Sequence, residues 1–455
     1  MVASEPVPDK ESSNKLSPPR SLTASGSLPM KLKIFYSFGQ MGVNIPTYFF
    51  VYLWAIYSPH GGTQLIPPAL LGTAFGVGVI VQALANPFIG NLSDKLKWKM
   101  GRRRPFILIG AIPLAISFML LFRPISQNQF SNFVYVAADF ALFNFLYTFV
   151  VLPYLAMIPE ISLNSDDRVK LLSVSSYFNV FPTILILFLT GILLEKGYSF
   201  FVIGAGVSVL IVISFLVPLV AIRRERFQSL SPQSFKLPEA ISSTFKNRTF
   251  LIYVSSYVFI IFGMYAFVNA LTYYTGIVIL PGSSVQAYSS FSSYILAIVF
   301  IFLAIFSVVT MKLSKKLTKK RAMIILSSIL AVGMLLLGII PSNPSMELLI
   351  PMLAIVGLGA TAPIILTYAV LSDIIDEDEI RTGYRREGMY FGIQGLIERV
   401  PYALSGMFVG WYYSAFYLPT SSQMAIRYIP FIAALSTVIM VVIFTRVPLK
   451  EKLKG

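Results

Sequence analysis

Twelve long apolar runs restrict the possible folds of this chain more than any other feature of its sequence. Most of them reach about 20 residues, the length that an α-helix needs to cross a hydrocarbon layer of roughly 30 Å. Charged residues make up only 12% of the 455-residue chain, whereas an average soluble domain carries roughly 25%. The sequence therefore predicts an all-α integral membrane protein with about twelve transmembrane helices. The predicted spans are 32–57, 67–93, 104–122, 131–157, 170–195, 199–222, 249–279, 287–313, 322–340, 346–373, 389–414 and 425–447.

The basic residues lie between the apolar runs and almost entirely in alternate connections. If the N-terminus is cytoplasmic, 32 of the 36 Lys and Arg residues fall on the cytoplasmic side and three on the opposite side. By the positive-inside rule, this asymmetry predicts a multi-pass protein of the cell membrane with both termini in the cytoplasm. The net charge of +16 follows from the same pattern. It therefore indicates a lipid bilayer as the partner and not nucleic acid.

The runs divide the chain into two halves of six helices each. Residues 31–222 are expected to form the N-terminal half and residues 249–447 the C-terminal half. A basic cytoplasmic linker at 223–248 joins them. The Ser- and Pro-rich segment 1–30 is predicted to be a disordered cytoplasmic tail, and 448–455 a second tail. Two such halves with a site at the membrane midplane suit alternating access.

Two basic stretches occupy the same place in the two halves. The stretch after the second run contains Ser93-Asp94 and then Gly101-Arg102-Arg103-Arg104-Pro105, and the stretch after the eighth run reads KLSKKLTKKRAMII. In this order the first stretch resembles a loop motif of the major facilitator superfamily. The chain is most similar to its glycoside–pentoside–hexuronide:cation symporter family, which includes the melibiose permease and is related to plant sucrose carriers. The other matching stretches are 38–40, 42–44, 86–87, 90, 153–160, 167–168, 246–250, 373–379, 382–383 and 385–388.

The resemblance covers about residues 35–410 and implies the major facilitator fold and a gate formed by the charged motifs. A carboxylate beside arginines can pair with them or cap a helix in one conformer and release in the other. The alternative is that these charges only fix topology and bind anionic headgroups. The predicted gate residues are Asp94, Gly101, Arg102, Arg103, Arg104, Pro105, Asp376, Glu379, Gly383, Arg385, Arg386, Glu387 and Gly388.

Three charged residues lie well inside the predicted spans, namely Asp139, Glu398 and Arg399. Charges are costly in hydrocarbon, so such residues are functional candidates. Arg399 matches a basic residue that points into the cavity of the family, so the resemblance implies that it contacts the solute. The alternative is a structural ion pair with Asp139 or Glu398. Either carboxylate is a candidate proton carrier.

Neutral polar side chains inside the spans provide a lining suited to a sugar. Carboxamides both donate and accept hydrogen bonds, and tyrosine rings can stack on a pyranose. Alternatively, each of these residues only joins helices or anchors the membrane interface. Asn44 also matches a sugar-contacting position of the family. The predicted solute contacts beside Arg399 are Gln40, Asn44, Asn144, Asn179, Asn269, Gln394, Tyr36 and Tyr154.

The chain departs from the family at the positions that bind sodium. Sodium-coupled members carry acidic residues on the second helix where this chain has Gln82 and Asn86, and charged residues where it has Val151 and Ser176. Amides can ligate sodium but supply no charge. We therefore expect a coupling proton rather than sodium, with Gln82 and Asn86 as further coupling candidates and uncoupled facilitation as an alternative.

Other functional classes find little support in the sequence. The chain has no cysteine and His60 is its only histidine, which excludes thiolate chemistry and a His-rich metal site. No nucleotide-binding motif of the Walker type is present. The prediction is a secondary transporter of a sugar or glycoside that is a monomer, not an enzyme, and needs no cofactor. The alternatives are a carrier of a non-sugar organic or lipid-like solute and a non-transporting membrane sensor.

Overall fold

A computed structural model describes residues 28–96, 98, 100–161, 165–221, 246–382 and 387–448. The helices of this part of the chain form twelve segments, which we number α1 to α12. The predicted tail 1–30, linker 223–248 and tail 448–455 lie outside the described residues, apart from 28–30, 246–248 and 448.

The first six segments make up the N-terminal half. α1 consists of three helical pieces, and its middle piece contains Pro46, which cannot donate a hydrogen bond to the preceding turn. A short helix, Ile158–Ile161, follows α4. The bounds are α1 (Met30–Ser37, Gly39–Phe49 and Val51–Tyr57), α2 (Pro68–Lys95), α3 (Arg104–Leu120), α4 (Gln129–Ala156), α5 (Ser165–Glu195) and α6 (Phe200–Ala221).

The other six segments make up the C-terminal half, and three of them contain a π-helical turn. These turns are Thr275–Ile279 in α7, Ala362–Leu366 in α10 and Tyr413–Tyr417 in α11. Leu418–Thr420 completes α11. The bounds are α7 (Arg248–Ile279), α8 (Val285–Lys316), α9 (Lys319–Ile339), α10 (Met346–Thr382), α11 (from Glu387–Tyr412) and α12 (Gln423–Thr445).

The all-helical membrane fold predicted from the sequence is confirmed. Among the described residues, nine helices are long and apolar enough to cross a membrane. α3 is shorter at 17 residues, α1 is interrupted, and α11 carries the charged pair Glu398 and Arg399. One predicted boundary is wrong: α10 runs past residue 373 to Thr382. Asp376 and Glu379 therefore lie on a helix and not in a loop.

The helix packing of one half repeats in the other. In the N-terminal half α1 packs against α5 and α6, α4 against α2 and α3, and α3 against α6. The C-terminal half has the equivalent pairs, with α7 against α11 and α12, α10 against α8 and α9, and α9 against α12. Between the halves, α2 packs against α11, α5 against α8 and α1 against α7. This pattern is the one expected for two six-helix repeats related by a twofold axis.

The bundle has two chemically different ends. We call the end that holds Met30, Gly101 and the turn 317–318 the basic end. The opposite end, with the connections 58–67 and 280–284, is the far end. Large apolar side chains between the two ends point outward: Leu84 and Leu185 remain 70% and 68% exposed. A continuous outer layer of this kind is expected where lipid replaces water.

The two halves meet closely at the far end through glycines of α2 and α11. A Cβ added to Gly72 would lie 2.7 Å from the carbonyl oxygen of Gly406, and one added to Gly410 would collide with the carbonyl oxygen of Pro68. Gly72 and Gly76 are four residues apart, as are Gly406 and Gly410, which is the spacing that lets transmembrane helices touch through their backbones. The Tyr52 and Ser293 hydroxyls form a further bond across the halves at 2.7 Å.

Candidate functional site

Glu398 and Arg399 lie in the interior of α11, far from either end of the helix. Both side chains are half-buried. In the part of the chain that the structure describes, neither one forms a hydrogen bond or an ion pair. The ion pair of Arg399 with Asp139 or Glu398, which the sequence left open, is therefore not formed in this conformation. Two unpaired opposite charges inside a helix are costly unless something else binds them.

Tyrosines from both halves lie near this charged pair. Arg399 is close enough to Tyr147 on α4, Tyr265 on α7 and Tyr402 on α11 to interact with them electrostatically. The rings of Tyr265 and Tyr402 meet edge to face with centroids 4.6 Å apart. The Tyr147 hydroxyl donates a 2.7 Å hydrogen bond to the backbone oxygen of Val43 on α1.

Glu398 has a wider set of tyrosine neighbours than Arg399. They come from α1, α4, α7 and α10, so both halves contribute to the surroundings of the carboxylate. The tyrosines within its electrostatic range are Tyr48, Tyr147, Tyr253, Tyr257, Tyr265 and Tyr368. We call Glu398, Arg399, Tyr402 and these tyrosines the central cluster. It combines charges, hydroxyls and aromatic faces, which together can bind a hydroxyl-bearing ring.

The predicted carboxamides fall into two groups, and those of the first remain accessible. Asn44 and Gln40 are half-buried on α1, with Asn44 Nδ2 donating to the Gln40 backbone oxygen at 3.1 Å. Asn179 on α5 is also half-buried, and its side chain has no hydrogen-bond partner among the described residues. Residues with this exposure can still contact a solute.

The carboxamides of the second group are buried and bonded to protein. Asn144 donates to the Phe140 backbone oxygen at 2.7 Å. Asn269 donates to Ser405 Oγ at 3.2 Å, joining α7 to α11. Gln394 accepts a 3.0 Å bond from Tyr253, while its Nε2 is buried without a partner. In this conformation Asn269 and Gln394 join α7 to α11, whereas the Asn144 bond stays within α4.

Tyr36 and Tyr154, two predicted solute contacts, bind each other. Their rings stack with centroids 4.7 Å apart, and each hydroxyl donates to the backbone oxygen of the other residue, at 2.9 and 2.8 Å. Both side chains are fully buried. The pair therefore joins α1 to α4 near the basic end. Tyr253 makes the corresponding contact in the other half, because its hydroxyl shares its hydrogen between Gln394 and the Thr367 backbone oxygen and so joins α7 to α10.

We expect Tyr36→Phe and Tyr154→Phe each to lower the free energy of unfolding by about 1 kcal/mol, because each removes one buried hydrogen bond. The KM for transport should stay unchanged. Thermal unfolding in detergent and uptake kinetics measure the two effects. Tyr177→Phe, at a residue that is 64% exposed on α5, is the control and should change neither. A several-fold rise in KM with unchanged stability would instead support the solute contact predicted from sequence.

The second candidate carboxylate, Asp139, has a different setting. It is buried between α3 and α4, and its Oδ1 accepts a 2.7 Å hydrogen bond from Ser117. Its Oδ2 is buried without a partner. It precedes Tyr147 by eight residues, or about 12 Å along the helix toward the far end. Asp139 is thus separate from the central cluster.

The two amides at the family's sodium positions lie on α2. Gln82 is buried, and Asn86 Oδ1 accepts a 3.2 Å hydrogen bond from Thr148 on α4. No group of three or more His, Cys, Asp or Glu residues that could hold a metal ion occurs within the described ranges.

The predicted gate is described only in part. Gly101 has φ of +104°, a conformation that favours glycine, and its N–H donates to the Trp98 oxygen to close a tight turn before α3. Pro105 lies in the first turn of α3, where its missing N–H costs nothing. Arg104 on the same turn donates to the Leu219 backbone oxygen on α6 at 3.0 Å. Arg103 is buried and Arg102 is half-buried.

The other predicted gate residues lie mostly beyond what the structure describes. Gly383, Arg385 and Arg386 lie outside the described residues, and so do the side chains of Asp94 and Glu387, while Gly388 lies in the first turn of α11. Asp376 is exposed and Glu379 is half-buried on α10.

The structure adds ion pairs near the basic end that sequence reasoning missed. Lys33 Nζ lies 3.0 Å from Asp167 Oδ1 and joins α1 to α5, with both side chains less than one-tenth exposed. The bonds from Lys33 and from the Leu28 N–H hold the pKa of the Asp167 carboxyl below its usual range. Lys319 lies 2.5 Å from Asp373 and joins α9 to α10. The sequence shows only that these four residues are charged and lie near helix ends, and that pattern does not tell which residues pair with each other.

The structure also places an aromatic group at the far end, which the sequence analysis did not identify. Tyr273 on α7 stacks on Tyr413 of α11 with ring centroids 3.9 Å apart, and Trp54 of α1 packs against Tyr273 at 5.8 Å. Nδ1 of His60 lies 3.3 Å from the Tyr417 hydroxyl. Burial lowers the pKa of His60, which favours the neutral ring in this contact. The contacts of Trp54 with Tyr273 and of His60 with Tyr417 cross between the halves and close the far end.

One cavity of about 360 Å³ lies away from these polar groups. Its lining is apolar and comes from α5, α8 and α10, with Phe188, Phe291 and Leu353 among its residues. It offers no charged side chain that could orient a polar solute.

Three comparisons relate the chain to known proteins. The family model for MFS/sugar transport proteins matches residues 35–451. The chain is 27% identical over 403 residues to the uncharacterized symporter YjmB of Bacillus subtilis, a match that covers 84% of this chain and 83% of that protein. It is 23% identical over 421 residues to the isoprimeverose transporter of Lactiplantibacillus pentosus, with coverage of 87% and 82%.

The comparison with solved structures supports the same fold. The nucleoside transporter NupG matches with a TM-score of 0.65 and 15% identity, covering 91% of this chain and 98% of that chain. A bacterial homolog of the human lysosomal transporter Spinster matches with a TM-score of 0.63 and 14% identity, covering 91% and 95%.

Proposed function

Because the chain belongs to the MFS/sugar transport protein family, we propose that it carries a sugar or glycoside across the cell membrane by alternating access. The chain is a multi-pass membrane transporter of the major facilitator superfamily and not an enzyme. The isoprimeverose transporter among its relatives moves a sugar by its name, which supports the proposed class of solute.

The observation that carries the proposal is the unpaired charge in the central cluster. Glu398 and Arg399 have no hydrogen-bond or ion-pair partner among the described residues, and tyrosines of both halves lie near them. A sugar would bind Arg399 and the carboxylate through its hydroxyls and stack its ring on the tyrosines. Because both halves contribute, movement of one half against the other alters every contact with the solute at once.

The far end is proposed to face the outside of the cell and the basic end the cytoplasm. The distribution of 32 of the 36 Lys and Arg residues supports this orientation. The glycine contacts and the contact of Trp54 with Tyr273 between the halves at the far end then correspond to a closed outer gate. Transport requires that these contacts break when the basic end closes.

Coupling to protons rather than to sodium is proposed. Gln82 and Asn86 supply no negative charge for a sodium ion, and Asn86 is bonded to Thr148. Glu398 is the favoured proton carrier because it lies beside Arg399, where protonation of the carboxylate would change the charge that the solute meets. Asp139 is less suited to this role, because it is buried within the N-terminal half and accepts a hydrogen bond from Ser117.

The test is uptake of labelled sugars and glycosides by the purified protein in liposomes, with proton and sodium gradients imposed in turn. Stimulation by the proton gradient alone is the expected result. Equal uptake under both gradients and under none would make the protein a facilitator. If no sugar moves, the proposed solute is wrong, and non-sugar organic or lipid-like solutes are tested next. Binding without movement of any solute would indicate a sensor.

We expect Glu398→Gln to remove the stimulation by a proton gradient, because the amide cannot bind and release a proton. Exchange of labelled for unlabelled solute without a gradient should continue, since the amide keeps the hydrogen-bonding shape of the carboxyl group. Asp139→Asn is the matched control and should retain stimulation. The opposite result, with loss only in Asp139→Asn, would assign the coupling proton to Asp139.

A further inference from the structure

The closed far end contains several buried polar atoms that have no hydrogen-bond partner. They come from α1, α7 and α8 and from the first residue after α1. Each belongs to a side chain that is almost completely buried. The atoms are Trp54 Nε1, Tyr57 OH, Ser58 Oγ, Thr272 Oγ1, Tyr273 OH and Ser289 Oγ. The Ser58 and Tyr273 side chains interact with each other, although neither oxygen meets the geometry of a full hydrogen bond.

Polar groups in such positions are normally bonded to protein or to buried water. A donor that loses water on burial without gaining a partner is unfavourable. An apolar residue would close the same contact at lower cost. A cluster of unpartnered donors in the interface therefore indicates that these groups have partners in the other conformer.

The arrangement of the rings around these atoms indicates what the partner is. Trp54 stacks on Phe75 with centroids 5.4 Å apart and meets Tyr273 edge to face. Tyr273 stacks on Tyr413 of α11. When the halves separate at the far end, Trp54 stays with Phe75 in one half and Tyr273 stays with Tyr413 in the other. The surfaces with which Trp54 and Tyr273 now meet each other then become free, together with the indole N–H and the hydroxyls. Aromatic faces beside neutral donors suit an uncharged ring that carries hydroxyl groups.

We propose that Trp54, Tyr57, Ser58 and Tyr273 form an outer solute subsite, which assembles when the far end opens and binds a neutral polyhydroxylated ring before it reaches the central cluster. This inference rests on the proposed function for the class of solute. The subsite contains no ionised side chain, in contrast to the central cluster with Glu398 and Arg399. A solute would thus bind first through ring stacking and neutral hydrogen bonds.

The experiment measures KM separately for entry from each end of the protein, in liposomes with a known orientation. Trp54→Phe removes the indole N–H, and Tyr273→Phe removes the hydroxyl but retains the ring that stacks on Tyr413. Each variant should raise the KM for entry from the far end by about three- to tenfold, the effect of one hydrogen bond. The KM for entry from the basic end should stay within twofold.

Trp411→Phe is the matched control, because Trp411 is a 55% exposed tryptophan of α11 outside the subsite. It should leave both KM values unchanged. Unchanged far-end KM in both Trp54→Phe and Tyr273→Phe would show that buried water or packing accounts for the unpartnered atoms, and would overturn the subsite. A wild-type protein that moves no sugar would instead overturn the proposed function, so the two failures are distinct.

Discussion

Arg399→Ala should reduce uptake by about 100-fold while the protein still reaches the membrane and unfolds near the wild-type temperature. The guanidinium is half-buried and has no partner within the described ranges, so its removal breaks no bond that stabilises this conformation. A hydrogen bond to a charged group contributes about 1.5–3 kcal/mol, which corresponds to roughly 10- to 150-fold in affinity. The measurement is initial uptake in liposomes together with thermal unfolding of the purified protein.

Two further variants separate charge and geometry from a general effect of losing an arginine. Arg399→Lys keeps the charge but loses the planar fork that binds hydroxyls in pairs, so we expect activity between that of wild type and Arg399→Ala. Arg427→Ala is the matched control, since Arg427 on α12 donates to Ser342 at 3.0 Å and to the Ile340 backbone oxygen at the far end. It should affect stability rather than uptake. Normal uptake by Arg399→Ala would remove Arg399 from the solute site.

Gly410→Ala should hold the far end open and largely abolish transport. The added methyl group would collide with the carbonyl oxygen of Pro68, which is backbone and cannot rotate away. Overpacking of this kind costs about 1–3 kcal/mol, enough to shift a two-state equilibrium by roughly 5- to 150-fold toward the conformer in which α2 and α11 are apart. The variant can still fold, because the methyl group has space once the halves separate.

The absence of cysteine from the chain makes this shift measurable. Ser293 is buried at the contact of α8 with Tyr52 of α1, so Ser293→Cys introduces a single thiol that is shielded while the far end is closed. A membrane-impermeant thiol reagent should label this cysteine at least about tenfold faster when Gly410→Ala is added. Equal labelling rates with and without Gly410→Ala would contradict the role of the glycine contact.

Gly395→Ala provides the matched control on the same helix. A Cβ at Gly395 would meet nothing within 4 Å. Both substitutions raise helix propensity by about 1 kcal/mol, so this effect cancels in the comparison. Gly395→Ala should therefore leave the labelling rate unchanged, and only the substitution in the α2–α11 contact should alter it.

The far-end contacts illustrate what the sequence could not provide. The glycine spacing of α2 and of α11 is visible in the chain, but neither motif says which helix it will meet. Likewise, Tyr36 and Tyr154 were predicted to contact the solute. Tyrosines in membrane helices have several roles, however, and only the packing shows that these two form reciprocal hydrogen bonds. Asp139 and Glu398 were equal candidates in the sequence, whereas the structure buries the first beside Ser117 and leaves the second among tyrosines of both halves.

The sequence by itself determined the helical membrane fold, the approximate helix bounds, the family and the charged residues most relevant to function. These properties are local or compositional: an apolar run must span the bilayer as a helix because backbone groups cannot remain unbonded in hydrocarbon, and an ionisable residue in such a run is costly wherever it points. Only the tertiary structure decided which side chains pair across helices, which end is closed and which polar atoms lack partners. Those properties depend on helix packing between residues more than a hundred positions apart, such as Tyr52 with Ser293.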